Sequence, residues 1–484
     1  MGYCNAAPDD IGEGKPQPRN GQYDLAIVGS GSAAFATAIA ATRAGASVVM
    51  VEEGLVGGTC VNVGCVPSKA LLAAAEARHM ALYGRFPGIS TEAHGVDMPA
   101  LIAGKESLVE MLRHEKYEDL ADMYGFDILH GHGRFSADNT LSVEGAAVSA
   151  GHYVIATGAV PWVPPIPGID QVHYLTSTTA MELDHVPVSL IVIGGNAVGL
   201  EQGQLFARLG SKVTVVEALS RIAPFEEPEV SEALTGIFSD EGIGVEAGAT
   251  VTKVLQEDGV VVVEINTPSG RRPLRSEALL VATGRRPNTS DLGLHAVGVR
   301  VGSRGEVIVD DELRTTNARM FAAGDVTGHP QFVYVAGLHG GIVAENALSG
   351  AHRRVDYRTL PRVTFTSPQI ASVGMTDEEA VRSGVSCECR VLSLANVPRA
   401  IVNRDTRGVA KIVAEHGTGR VLGIHLLADG AADAILAGVY ALEANFTVEQ
   451  LATVWTPYLT MAEAIKLTAQ SFSRDVAALS CCAA

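Results

Sequence analysis

Gly57-Gly58-Thr59-Cys60-Val61-Asn62-Val63-Gly64-Cys65-Val66-Pro67-Ser68-Lys69 is the stretch on which the reading of this chain turns. Two cysteines stand in it with four residues between them. Two glycines precede the first cysteine, so the backbone is free to come close to a flat ligand. Pro67 and the helix-forming residues after it put Cys65 near a helix N-terminus, where the helix dipole favours thiolate over thiol. The spacing is not the Cys-x-x-Cys of zinc sites and thioredoxin-like motifs. A free cysteine is often just a small buried residue, but the motifs on either side of this pair point to chemistry.

Upstream, residues 23–52 have the pattern of a β-α-β unit. Asp24–Val28 is expected to be a buried strand, Gly29-Ser30-Gly31-Ser32-Ala33-Ala34 a tight turn into a helix, and Ser47–Val51 the next strand. The glycines let a pyrophosphate reach backbone N–H groups at the positive end of the helix. Glu52 follows Gly31 by 21 residues, where a carboxylate accepts ribose hydroxyls. A second unit begins at Ser189, with a strand over Leu190–Ile193, the turn Gly194-Gly195-Asn196-Ala197-Val198-Gly199, a helix through Leu209 and a strand over Val213–Val216. Asn196 takes the place of the middle glycine, and asparagine tolerates left-handed geometry. Glu217 ends that strand; a carboxylate there hydrogen-bonds a ribose and repels a 2′-phosphate, which favours NADH. Arg221 nearby is able to hold a phosphate, so NADPH stays open. The strands Tyr153-Val154-Ile155-Ala156-Thr157-Gly158 and Ala278-Leu279-Leu280-Val281-Ala282-Thr283-Gly284 are alike, which suggests two nucleotide-binding domains of related design.

The chain of 484 residues is too long for one core. Its net charge of −18 argues against a nucleic-acid partner, which wants a basic face. The seven cysteines, Cys4, Cys60, Cys65, Cys387, Cys389, Cys481 and Cys482, cluster unevenly, unlike a secreted disulfide framework. Residues 1–20 have no basic start followed by an apolar run, so no signal peptide is expected and the protein is placed in the cytoplasm. The apolar run Leu25–Ala41 is too short for a membrane span and fits strand, turn and helix. Residues 1–20 read as a flexible tail with an incidental Cys4. Residues 70–125 read as long helices, and Gln331–Ala347 begins another. Cys387 and Cys389 alternate on an expected strand and so share one face; packing is the preferred reading, metal ligation the alternative. The fourteen histidines show no metal-ligand spacing.

Gly57–Lys69 resembles the redox-active segment of the flavin disulfide-reductase family, and the resemblance runs from about residue 21 to the C-terminus. It implies an α/β fold: two Rossmann-like nucleotide-binding domains, for FAD and NAD(P)H, and a C-terminal α+β dimerisation domain in the manner of glutathione reductase. The implied bounds are 21–160 and 286–352 for FAD, 161–285 for NAD(P)H and 353–484 for dimerisation. By that likeness the Cys60–Cys65 disulfide takes electrons from the flavin, with Cys65 as the charge-transfer thiolate and Cys60 as the exchange thiol. Gly29, Gly31, Ala34, Glu52, Gly58, Thr59, Lys69, Thr157 and Gly158 would serve FAD. Asp325, in Ala322-Ala323-Gly324-Asp325-Val326, would bind its ribityl chain. Lys69 would pair with Glu201 beside the flavin. Gly194, Gly199, Glu217, Arg221 and Gly284 would serve the pyridine nucleotide. Ala197 stands where the family often has a tyrosine over the flavin, so a gating side chain is missing there.

Two departures single out a branch. The family's acid–base segment is His-Pro-Thr-x-x-Glu; here it is Tyr458-Leu459-Thr460-Met461-Ala462-Glu463. A tyrosine of pKa about 10 is a poor proton shuttle at neutral pH, though its hydroxyl suits a metal–thiolate centre. The chain also ends Cys481-Cys482-Ala483-Ala484, and a soft thiol pair selects a soft metal. Together these features resemble the mercury-reducing branch of the family, many members of which carry an extra N-terminal metal-binding domain for which this chain leaves no room. The likeness implies a homodimer that reduces Hg(II) to volatile Hg(0) with NAD(P)H. Cys481 and Cys482 of one subunit would relay the metal to Cys60 and Cys65 beside the FAD of the other, with delivery as Hg(II)–thiol complexes or by a mercury carrier. The competing readings are a disulfide reductase akin to thioredoxin reductase or dihydrolipoyl dehydrogenase, and a non-catalytic mercury-sequestering protein on a flavin fold.

Overall fold

The structure is a computed structural model that describes residues 16–138 and 140–476. The chain divides into two compact units. One comprises the chain up to Ser68, Ala103–Trp162 and Gly284–Val355; the other comprises Lys69–Ile102, Val163–Thr283 and the chain from Asp356 on.

The first unit is built on a five-stranded parallel sheet. Its spatial order is Met320–Ala322, Ala150–Ile155, Tyr23–Val28, Val48–Glu52 and Asp127–His130. Leu25, Ala26, Ile27 and Val28 are all buried, the continuous apolar run of a strand covered on both faces. One cover is helical. Ser32–Arg43 buries Ala33, Ala34, Phe35, Ala38 and Ala41 and lies against Val333–Ser349. The two helices come so close that a Cβ on Gly340 would sit 2.5 Å from the Ala33 carbonyl oxygen. On the other face lie the antiparallel strands Gly133–Phe135, Leu141–Val143 and Ala146–Val148, where the rings of Phe135 and Tyr153 meet edge to face. The helix expected from Gln331 starts at Val333, because Phe332 is still extended.

The second unit holds three sheets. A parallel one runs Gly244–Ala247, Lys212–Glu217, Ser189–Ile193 and Ala278–Val281, accompanied by the antiparallel meander Thr250–Glu257, Val260–Thr267 and Gly270–Ser276. The third is also antiparallel, in the order Pro361–Thr364, Gln369–Gly374, Val421–Ala428, Val409–Glu415 and Cys387–Ser393. One expectation needs correcting. Asn196 does not adopt left-handed geometry; it is the extended N-cap of Ala197–Leu209, with φ −113°. The left-handed residue of that turn is Gly194, at φ +112°.

A buried ion cluster ties this unit together. The Arg208 guanidinium donates to Glu241 through Nε (3.0 Å) and Nη2 (2.7 Å), and Arg407 Nη1 reaches the same carboxylate at 3.2 Å. Arg208 also pairs with Glu76. Burial by itself raises the Glu241 carboxyl, but the hydrogen bonds and charges of its partners, Arg208 foremost, outweigh it and hold it below the ordinary 4.5. A depressed carboxylate pKa stabilises the fold above pH about 4.5, and that contribution fades as pH falls through the lower folded-state value. Glu241→Gln is expected to cost about 3 kcal/mol at pH 7, because it leaves a buried guanidinium short of its partner. Urea midpoints of wild type and variant should converge below pH about 4.5.

Candidate active site

The first unit gathers most of the residues singled out in the sequence. Its first strand runs into Gly29 at φ +106°, where a Cβ would lie 2.4 Å from the Ala156 carbonyl oxygen. The chain then turns at the extended Gly31 into Ser32–Arg43, whose N-terminus has no side-chain cap. The first-turn N–H groups are therefore left for an anion. Glu52, at the end of the neighbouring strand, accepts from Ser30 Oγ at 2.6 Å and from Gly54 N at 2.7 Å. A cleft of about 450 Å³, open to solvent, is lined there by Gly29, Glu52, Glu53, His132, Thr157 and Asn288, among others. Thr157 Oγ1 donates to the Asn288 carbonyl at 2.6 Å, and Gly158 adopts φ +69°.

The cysteine segment is clamped onto this turn. Gly57 and Gly58 are both left-handed, at φ +102° and +63°, and a Cβ on Gly58 would lie 2.6 Å from Gly31 Cα. Besides leaving room for a ligand, Gly58 thus permits a backbone-to-backbone contact. Ser30 completes the clamp: its Oγ accepts from Gly57 N at 3.2 Å while donating to Glu52. Cys60 lies half-buried on the short helix Gly58–Asn62, and Cys65 is exposed as the first residue of Cys65–Leu82. Asn62 braces the loop between them, donating to the Val56 and Gly58 carbonyls and accepting from Arg113. Arg285 extends towards Thr59 Oγ1 at 3.4 Å. Burial lowers its pKa, while the charges of Asp325 and Cys65 raise it.

Asp325 lies on the turn Gly324–Thr327, and burial raises its carboxyl while the charge of Arg285 pulls it back. Among the described residues no hydrogen bond to that carboxylate is present, and Asp325 is half-buried. The turn is pinned from behind, where Gly324 N donates to His339 Nδ1 at 3.1 Å. Burial first, and then the charge of His329, lower His339 to about 4, which keeps it a neutral acceptor at this nitrogen. Ser30, Arg285 and His339 escaped the sequence reading. Serine within a glycine turn and histidine within an apolar helix carry no signal of their own.

The second unit holds the other elements. Lys69 Nζ lies 2.8 Å from Glu201 Oε2 and sits over the Phe365 ring at 4.5 Å. Glu201, buried on Ala197–Leu209, accepts from Phe365 N at 2.8 Å through its other oxygen. At the second nucleotide turn a Cβ on Gly199 would lie 1.9 Å from the Gly194 carbonyl oxygen. Glu217 repeats the arrangement of Glu52, accepting from Gly195 N at 2.7 Å and Leu219 N at 2.8 Å. Arg221 is turned towards the Glu226 carbonyl, at 3.2 Å. Gly284 belongs to the first unit, where its carbonyl accepts from Trp162 N. Tyr458 is half exposed; Leu459, left-handed at φ +60°, gives its N–H to the buried Glu463 at 2.7 Å. Cys481 and Cys482 lie outside the described residues, as does Cys4.

Comparison with known proteins decides the family. The pyridine nucleotide-disulphide oxidoreductase model matches residues 23–340, and the dimerisation domain of the same family matches 360–469. A mercuric reductase of Streptomyces lividans is 57% identical over 95% of this chain and 98% of its own length. The chain belongs to the mercuric reductases of the pyridine nucleotide-disulphide oxidoreductase family. A Bacillus cereus mercuric reductase is 48% identical, with 96% of this chain and 74% of the relative covered. Among solved structures, the HOCl-induced flavoprotein disulfide reductase RclA of Escherichia coli superposes with a TM-score of 0.83 at 32% identity, covering 93% of this chain and 100% of its own. FAD and NAD(P)H are the cofactors of this oxidoreductase. The uncapped helix Ser32–Arg43, the strand-end carboxylates Glu52 and Glu217, and the half-buried Asp325 suit those ligands. Among the described residues no helix is long and apolar enough to cross a membrane.

Two substitutions test this construction. Gly58→Ala places a Cβ against Gly31 in a backbone region alanine avoids, at a cost of about 1–3 kcal/mol; FAD content as purified and thermal midpoint should both fall. Glu201→Gln keeps the Phe365 bond but removes the charge beside Lys69. It should cost no more than about 1 kcal/mol in urea unfolding, because Lys69 is partly exposed and solvent screens the pair.

Proposed function

We propose that this enzyme reduces Hg(II) to Hg(0) at the expense of NAD(P)H, as a cytoplasmic homodimer. FAD would occupy 21–160 and 286–352, NAD(P)H 161–285, and dimer contacts 353–484. When bound, FAD and NAD(P)H supply two electrons to Hg(II), the substrate. This chain's residues bring the ion to that point. Cys481 and Cys482 of one subunit take Hg(II) from a small-molecule dithiol complex or a mercury carrier, and thiolate exchange passes it to Cys60 and Cys65 of the other. Exchange suits this ion because soft thiolates bind it tightly and a third thiolate opens a route for the swap. Cys65, at a helix N-terminus, is favoured as thiolate.

The observation that carries the reading is the Tyr458–Glu463 segment. A disulfide reductase needs a carboxylate-oriented imidazole to protonate the departing thiolate. Here the side chain is a phenol, and an oxygen of Glu463 is engaged by the Leu459 N–H. Metal reduction requires no such proton. Leu436, Tyr440, Val454 and Trp455, exposed in the single chain, support a dimer contact in the C-terminal region. Glu217, held by two N–H groups at its strand end, supports NADH over NADPH.

The test is Hg(II)-dependent oxidation of NADH and of NADPH in excess thiol. Wild type should turn over Hg(II), with the higher kcat/KM for NADH. Cys60→Ser should abolish turnover, and Cys481→Ala/Cys482→Ala should depress it at least tenfold with thiol-bound Hg(II) while leaving flavin reduction intact. Brisk turnover of glutathione disulfide or lipoamide, with Hg(II) acting only as an inhibitor, would overturn the assignment.

A further inference from the structure

The second unit carries a group of metal-ligating side chains that the mechanism leaves unused. Cys387 and Cys389 both lie on Cys387–Ser393, the edge strand of the antiparallel sheet, and point to the same face. Opposite them is Asp377, the first residue of the helix Asp377–Arg382. Cys387 Sγ donates to Asp377 Oδ1 at 3.1 Å. The two sulfurs and the carboxylate oxygen all lie within 4.8 Å of one another, and all three residues are half-buried.

The position of Asp377 is fixed from several sides. Thr376 and Glu379 form a reciprocal capping box at the helix start, with bonds of 3.2 Å and 2.9 Å. The Asp377 N–H donates to Glu227 at 2.7 Å, and Glu227 is in turn anchored by Lys411 at 2.8 Å. The cysteines are fixed by strand pairing, Cys387 opposite Glu415 and Cys389 opposite Val413. Val385, Cys387 and Cys389 close over Ala380, Val413 and Leu422 beneath. Packing alone accounts for two small apolar residues on this face, but not for a carboxylate held rigidly against their sulfurs.

We propose that Cys387, Cys389 and Asp377 form a second binding site for a soft d10 cation, Hg(II) in this enzyme, held by two sulfurs with the carboxylate as a third contact. Two thiolates exclude hard ions such as Mg(II) and Ca(II), which take all-oxygen shells. Cys387 Sγ donates to the Asp377 carboxylate as a thiol, so with both cysteines protonated the ion enters by exchange. Two S–Hg bonds form as the two bonds of an incoming bis-thiolate complex break. The two protons pass from Cys387 and Cys389 to the departing thiolates, and no electrons move. Such a site retains the ion without reducing it. The choice of Hg(II) as occupant rests on the function proposed above, so the test measures binding in the absence of NAD(P)H and does not depend on turnover.

The holoenzyme is loaded with Hg(II) as its cysteine complex without nucleotide, desalted into a small excess of cysteine, and its retained mercury counted per subunit. Cys387→Ser/Cys389→Ser is expected to retain one equivalent less than wild type. Asp377→Asn should retain the full count but lose that equivalent about tenfold faster to added thiol. Wild-type protein supplies a check independent of any variant's folding: peptide mapping after brief alkylation should show Cys387 and Cys389 protected by Hg(II). Equal retention by wild type and the double variant, or alkylation of both cysteines unchanged by Hg(II), would overturn the proposal.

Discussion

Gly58 meets Gly31 backbone to backbone, at a distance no side chain tolerates, and the redox segment is held by that contact. The first nucleotide turn and the segment bearing both cysteines are thereby fused into one rigid piece. Ser30 seals it, bonded at once to the carboxylate that ends the second strand and to the N–H that begins the redox loop. Small displacements matter where thiols must meet an electron carrier, and here the elements that hold a dinucleotide also set the position of the first cysteine.

The same local device is used twice. Glu52 and Glu217 each end a parallel strand, and each has both oxygens engaged by donors of the adjoining turns. In neither case does the side chain wave freely; its orientation is fixed by those donors. Gly29 and Gly194 fill equivalent places, each with a positive φ and each pressed against the carbonyl of a neighbouring strand's end. The recurrence follows from geometry: a strand that must turn abruptly into a helix beneath a phosphate has few backbone solutions.

Charge is handled in two ways. Arg208 and Glu241, like Lys411 and Glu227, are buried and mutually satisfied, with the half-buried Arg407 closing on Glu241, so they fix the packing of the second unit. Asp325 and Arg285 are half-buried with no direct bond between them, and Arg285 is engaged by the Ala159 carbonyl and by Thr59.

Much of this was legible in the linear chain. The apolar runs of the parallel strands, the glycine turns, the acidic residues about twenty positions on and the spaced cysteines are local in sequence, because each unit is a contiguous strand, turn and helix. The Lys69–Glu201 pairing was legible only through likeness to relatives, since 132 positions separate its members. Three things belonged to tertiary structure alone. Asn196 proved to be an extended cap, because the strain of its turn is carried by Gly194. The roles of Ser30 and His339 depend on partners delivered by other strands and helices. The approach of Asp377 to Cys387 and Cys389 requires a helix to cross an edge strand. Periodicity and spacing determine which face of an element is apolar and where the chain turns; which polar atoms meet across the gaps is decided only when the sheets close.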